Sequence, residues 1–99
     1  MYRRILRQMQ TRVHRRRYVT TLHANEEMVE DGLTVYDVER GILSGEILER
    51  QNDRISGESK FRIRGQTVAG DGVEVVAKLS PTDMLVIITV YSLSEAEAE

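Results

Sequence analysis

The sequence predicts an α+β domain in which two helices pack on one face of a three- or four-stranded antiparallel sheet, with an extra basic helix at the N-terminus. Three observations predict this class. The chain has 99 residues, which suffices for one domain with one core. Apolar residues recur at helical spacing in much of the first half, whereas they alternate along the chain from residue 60 onward. Gly and Pro residues interrupt the alternating part at turn-like positions, as in an antiparallel meander.

Residues 1–17 are predicted to form a basic amphipathic helix that precedes the domain. Their apolar residues recur at spacings of four, three and four: Tyr2, Leu6, Met9 and Val13. Seven arginines flank this stripe: Arg3, Arg4, Arg7, Arg12, Arg15, Arg16 and Arg17. A helix of this kind binds RNA or another polyanion, an anionic membrane surface, or an acidic partner. The alternative is a solubilising extension that packs loosely on its own acidic domain.

The rest of the chain is acidic. The net charge is −2, and seven of the 14 basic residues precede Glu26, the first acidic residue. The remaining seven basic residues therefore face all 16 acidic ones, which gives residues 26–99 a net charge of about −9. Residues 93–99 contribute three glutamates and little apolar surface, so they are predicted to form a disordered acidic tail.

A single domain is predicted over residues 18–92, beginning with a strand and two helices. The β-branched and aromatic content of residues 18–23 is typical of a strand. A helix over 24–31 follows, and Gly32 ends it. Thr34 is the expected N-cap of the second helix, with Asp37 three residues on in a partial capping box, and Gly45 closes the helix.

The second half of the domain is predicted to form the sheet. The expected elements are a short strand at 47–48, a loop at 51–59, a strand from residue 60, turns at 69–72 and 81–83, and a strand at 84–91. The last strand is nearly continuous in apolar and β-branched residues, which predicts that it is central and covered on both faces.

Composition excludes several classes of protein. The chain contains no cysteine, which excludes disulfides, thiol catalysis and thiolate metal sites and is typical of the reducing cytoplasm, the location that we expect. No stretch approaches the roughly 20 apolar residues of a membrane span, and residues 1–17 lack the features of a secretory signal. The two histidines, His14 and His23, lie on different elements without a cluster of carboxylates beside them, so neither a metal site nor a cofactor is predicted.

One set of residue types is compatible with catalysis. The candidates are His23, Arg62, Arg64, Lys78 and Tyr91. Cleavage of RNA through the ribose 2′-hydroxyl uses a base, cations on the phosphate and an acid, and these side chains can supply them. The alternative is structural: the three cations pair with Glu58 or Glu74 across an exposed sheet face.

Short motifs in fixed order resemble a prokaryotic family catalogued as domain of unknown function 4258. They are His23-Ala24-Asn25-Glu26-Glu27-Met28, Asp31-Gly32-Leu33-Thr34, Val38, Gly45-Glu46-Ile47 and Ile88-Thr89-Val90-Tyr91. The resemblance spans residues 18–92 and implies a fold similar to the RelE/ParE and BrnT toxins. His23 and Tyr91 occupy motif positions, whereas Glu27 stands where the family often has arginine.

This resemblance implies a toxin-like protein of a type II toxin–antitoxin module, acting as a metal-independent RNA endonuclease with a cognate antitoxin as partner and RNA or the ribosome as target. The alternative is a non-catalytic protein-interaction domain on the same fold. A third hypothesis is RNA binding through the arginine-rich helix alone. The first hypothesis predicts that expression of the chain arrests growth of a host cell.

Overall fold

The computed structural model describes residues 1–93, and residues 94–99, which hold all but one residue of the predicted acidic tail, lie outside the described part. The elements within residues 1–93 are α1 (Arg3–His14), β1 (Tyr18–Thr20), α2 (Leu22–Asp31), α3 (Val35–Ser44), β2 (Glu46–Asn52), β3 (Ser59–Gln66), β4 (Gly72–Leu79) and β5 (Leu85–Ser92). None of the described helices is long and apolar enough to cross a membrane.

The α+β class is confirmed, but the sheet has more strands than we predicted. Five strands lie in the order β1-β5-β4-β3-β2. Strands β2 to β5 are antiparallel neighbours, whereas β1 pairs in parallel with β5. The strand at the start of the domain was predicted, but its parallel pairing with β5 was not, because β1 pairs over only three residues, too few for a visible pattern. The length of β2 was also underestimated, because it is an edge strand of mostly polar residues.

The middle of the sheet is β4, and the prediction that the strand at 84–91 is central was therefore wrong. Five consecutive residues of β4, from Val73 to Ala77, are buried, whereas burial in β5 is limited to Leu85, Ile87 and Val90. Within residues 1–93, the outer edge of β5 has no strand partner beyond Ile87, and α2 lies beside it instead.

All three described helices contribute to one core on one face of the sheet. Inward residues of the three strands β3, β4 and β5 form the sheet side of this core: Phe61, Ile63, Val73, Val75, Ala77, Leu85, Ile87 and Val90. The helices add Met9, Val13, Ala24, Met28, Val38 and Ile42. The opposite face of the sheet carries no helix within the described chain.

Helix α1 is part of this core, and the loose packing considered for residues 1–17 is not observed. Met9 is fully buried and Val13 is 4% exposed. The Gln10 side-chain amide donates to the carbonyls of Ile42 and Leu43 at 3.2 and 3.3 Å, which satisfies two C-terminal carbonyls of α3. The apolar stripe of α1 is thereby explained by packing within its own chain.

The boundaries of α2 and α3 follow the capping signals. Thr34 caps α3, and its side chain and that of Asp37 form the predicted capping box. Gly32 ends α2 in the left-handed conformation, with φ 66°. The predicted strand over 18–23 is too long: the Thr21 hydroxyl accepts the amide of Ala24, so α2 begins at Leu22 and His23 belongs to a helix.

Candidate functional site

Three of the predicted catalytic residues converge on the open face of the sheet. Arg64 pairs in register with Glu74, and Glu74 with Tyr91, so the side chains of β3, β4 and β5 meet. Arg62 Nη1 donates to Glu74 Oε1 and Arg64 Nη2 donates to Oε2, both at 2.8 Å. The Tyr91 hydroxyl also donates to Glu74 Oε1 at 2.8 Å. Glu74 is therefore the centre of the cluster.

Glu74 is ionised and almost completely enclosed, with 1% of the residue exposed. Burial would raise the pKa of its carboxyl, but the hydrogen bonds from Arg62, Arg64 and Tyr91 outweigh this effect and hold the pKa below its usual value. Burial and the bond to this carboxylate raise the pKa of the Tyr91 phenol. Arg62 has a second carboxylate partner, since its Nε lies 3.1 Å from Glu49 Oε1.

The other two predicted catalytic residues lie apart from this cluster. Lys78 is paired with Glu58 on the neighbouring loop. His23 lies on α2, in the helical layer, with 65% of its side chain exposed and Nε2 at 3.2 Å from Glu27 Oε1. Within residues 1–93, no hydrogen bond or ion pair joins His23 to the arginines or to Tyr91.

This arrangement resembles a structural ion-pair network more than a phosphate site. The guanidinium donors that would stabilise a pentavalent phosphate already bind carboxylates. The raised pKa of Tyr91 moves this phenol further from the neutral range in which a general acid works best. The pairing of the cations with Glu58 and Glu74, which we considered as the structural alternative, is the one observed.

The N-terminal arginines form a second cationic cluster, in which five of the seven side chains have no carboxylate partner within residues 1–93. Arg12 and Arg17 pair with Asp83, which lies in the turn before β5. The five others are exposed and form no ion pair within residues 1–93: Arg3, Arg4, Arg7, Arg15 and Arg16. We call these five the arginine surface. Asp83 was not foreseen as a partner, because no local pattern relates two residues 71 positions apart.

The carboxylates of α2 bind the free edge of β5. Glu27 Oε1 accepts the backbone amide of Val90 at 3.0 Å, and Asp31 Oδ2 accepts that of Ser92 at 2.8 Å. The distance along a helix between residues four apart and the distance along a strand between residues two apart are both about 6 to 7 Å. Carboxylates one turn apart on α2 can therefore reach successive outward amides of β5. Glu27 thus has a structural role that an arginine at this position could not perform, because arginine is only a donor.

The motif residues mainly support the fold. Ala24 is fully buried, and Gly32 and Thr34 are helix caps. Gly45 lies where a Cβ would be 2.5 Å from the carbonyl oxygen of Gly41, so a larger residue does not fit. Tyr91 belongs to the Glu74 cluster. No group of three His, Asp or Glu side chains in the described part of the chain is arranged to hold a metal ion.

Comparison with known proteins assigns a family. A family model described as "Domain of unknown function (DUF4258)" matches residues 20–92. No curated protein and no solved structure matches the chain. The relationship to RelE/ParE and BrnT toxins therefore stays a prediction. Because the family model covers most of the chain, the protein belongs to the domain of unknown function 4258 family.

Proposed function

We propose that this protein binds RNA through the arginine surface and does not cleave it. The observation that supports the proposal is the contrast between its two cationic clusters. The arginines on the sheet are bound to carboxylates, whereas those of the arginine surface are exposed and without ion pairs in residues 1–93. RNA is the polyanion that the family resemblance implies, and the toxin–antitoxin assignment is not needed for this proposal.

The helical part of the arginine surface projects from an ordered backbone. Met9 and Val13 hold one side of α1 in the core, and Arg3, Arg4 and Arg7 lie on the other side of the helix. Arg3 and Arg7 are four residues apart and therefore about 6 Å apart along the helix axis. Guanidinium groups form paired hydrogen bonds with phosphate oxygens, and an ordered backbone loses less conformational entropy on binding than a disordered segment does.

The same packing disfavours a membrane surface as the ligand. An interfacial helix binds by burying its apolar face among lipid acyl chains. In α1 that face is occupied, because Met9 is fully buried and Val13 nearly so. What α1 presents outward is charged and polar, which fits a phosphodiester backbone better than a bilayer.

The composition of the surface predicts recognition without sequence preference. Single-stranded bases are normally read by stacking on aromatic side chains. Tyr2, the aromatic residue at the N-terminus of α1, packs edge-on against Phe61 at a ring-centroid distance of 5.8 Å. Its ring is therefore not available to stack on a base. Contacts are therefore expected with phosphates, which position RNA but carry no sequence information.

The first prediction tests the charge contacts by their salt dependence. Replacing Arg3, Arg4 and Arg7 with glutamine should weaken binding of a single-stranded RNA and reduce the slope of log K against log salt by about 2, since each lost contact contributes about 0.7. Fluorescence anisotropy at several salt concentrations measures both effects. The unfolding midpoint should not change, because these side chains are exposed.

A control variant removes the same charge elsewhere. Arg40, Arg54 and Lys60 lie outside the arginine surface, and their replacement by glutamine should leave the salt slope unchanged. Equal losses in the two triple variants would show that net charge alone governs binding and would contradict the proposal. Anionic vesicles serve as a third arm: binding to them that exceeds binding to RNA would overturn the assignment of the ligand.

Cleavage is tested with the same samples. Intact RNA after prolonged incubation, together with normal growth of a host that expresses the protein, is expected. Growth arrest that depends on Arg62 and Arg64 would favour the nuclease hypothesis instead. The antitoxin partner predicted from the resemblance stays a prediction in either case.

A further inference from the structure

Helix α2 presents two apolar side chains to solvent. Leu22 is 74% and Val29 82% exposed, and neither belongs to the core. Valine is also a poor helix former, because its branched Cβ loses rotamer freedom in a helix. Neither packing within residues 1–93 nor helix propensity accounts for Val29 at this position.

The two side chains lie on one stripe. They are seven residues apart, which is about two turns and about 10 Å along the axis of α2. Seven is the spacing at which residues of one helix meet another helix repeatedly. Around Val29 a shallow depression is lined by Asn25, Glu26, Val29 and Glu30.

The flank of this stripe is acidic. Glu26 and Glu30 are exposed and four residues apart, and they form no ion pair within residues 1–93. On a helical wheel both fall on the same side of the line from Leu22 to Val29, whereas Asn25 falls on the other side. Like charges at this spacing repel each other slightly, and a cationic partner would remove this repulsion.

We propose that the outer face of α2, formed by Leu22, Glu26, Val29 and Glu30, docks a basic amphipathic helix of another protein. The partner's apolar residues, spaced seven apart, would cover Leu22 and Val29. Its lysines or arginines would lie along one side, facing Glu26 and Glu30. In this mode of recognition the apolar contacts hold the partner helix on α2, and the charged pairs along one side set its orientation.

Helix α1 and an antiparallel α2 of a second copy do not complement this surface. Helix α1 is basic, but its apolar residues pack on its own core, so it offers arginines without the apolar anchors. Two α2 helices packed antiparallel and face to face would bring four exposed glutamates together. We therefore place the basic helix on a different chain.

The test uses a synthetic peptide of leucine and lysine that forms an amphipathic helix, and a scrambled peptide of the same composition. The first peptide should shift the backbone amide resonances of α2 and bind at least about tenfold more tightly than the scrambled one. Replacing Leu22 and Val29 with serine should abolish that preference. Ile55 and Val68 lie outside α2 and are 99% and 68% exposed. Replacing these two residues with serine should leave the preference for the amphipathic peptide unchanged.

A charge-matched pair of variants tests the acidic flank. Glu26→Gln with Glu30→Gln should weaken binding of the amphipathic peptide several-fold, whereas Glu46→Gln with Asp71→Asn should not. Equal binding of the two peptides, or full binding by the Leu22 and Val29 variant, would overturn the proposal. RNA binding should be the same in all these variants, so this inference and the proposed function fail independently.

Discussion

Replacing Gly65 with alanine is expected to destabilise the protein by about 3 kcal/mol or more, because α3 lies directly against β3 at this position. A Cβ on residue 65 would be 2.0 Å from the carbonyl oxygen of Gly41 and 3.0 Å from its Cα. These are backbone atoms of a helix and cannot rotate away as a side chain would. The helix and the strand must move apart, and the core between them must open. Urea unfolding followed by circular dichroism measures the loss.

The matched control is Gly32→Ala, which changes the backbone conformation without a collision. Gly32 has a φ of 66°, and no atom of residues 1–93 lies within 4 Å of the Cβ that an alanine would add. Its cost should be about 1 kcal/mol, the strain of a left-handed alanine. If the two variants lost the same stability, close packing of α3 on β3 would not be the reason that residue 65 is glycine.

Local signals in the sequence predicted the helices well. The capping box joins Thr34 and Asp37, which are only three positions apart, so a short stretch of sequence is enough to recognise it. Gly32 was recognised as a helix end because few other residues adopt its conformation. The apolar stripe of residues 1–17 likewise predicted α1, and Met9 and Val13 of that stripe are its buried residues. Features of this kind are determined within one or two turns of chain.

Features that depend on distant residues were predicted poorly. The pairing of β1 with β5 joins segments that lie 67 residues apart at Tyr18 and Leu85, and three residues of β1 carry too little pattern to reveal it. His23 was assigned to a strand because threonine is common in strands. Threonine is also common at helix N-caps, and Thr21 has that role here, so His23 lies in α2. Alternation placed Arg62 and Arg64 on one face, but it did not decide whether Glu74 or a ligand would bind them.

Replacing Glu74 with glutamine is expected to destabilise the protein by about 2 to 3 kcal/mol at neutral pH. Removing one partner of a buried ion pair costs about 3 to 5 kcal/mol, because the other charge stays behind without a counter-ion. The cost here should be lower, since 26% and 36% of the Arg62 and Arg64 side chains reach solvent, which can hydrate them. The exposed Glu46 is the control, and Glu46→Gln should change stability by less than about 0.5 kcal/mol.

The same variant should also change how stability depends on pH. The pKa of Glu74 is lowered in the folded protein, so the unfolded chain takes up its proton first as the pH falls. The stabilisation by ionised Glu74 is therefore complete above a pH of about 4.3, the ordinary value for glutamate, and is lost as the pH falls through the lower folded value. Unfolding free energies of the wild type and Glu74→Gln should converge below that range. If they stayed apart, or if Glu74→Gln lost no more stability than Glu46→Gln, the arginines would not depend on Glu74, and the reason to assign them a structural role would be gone.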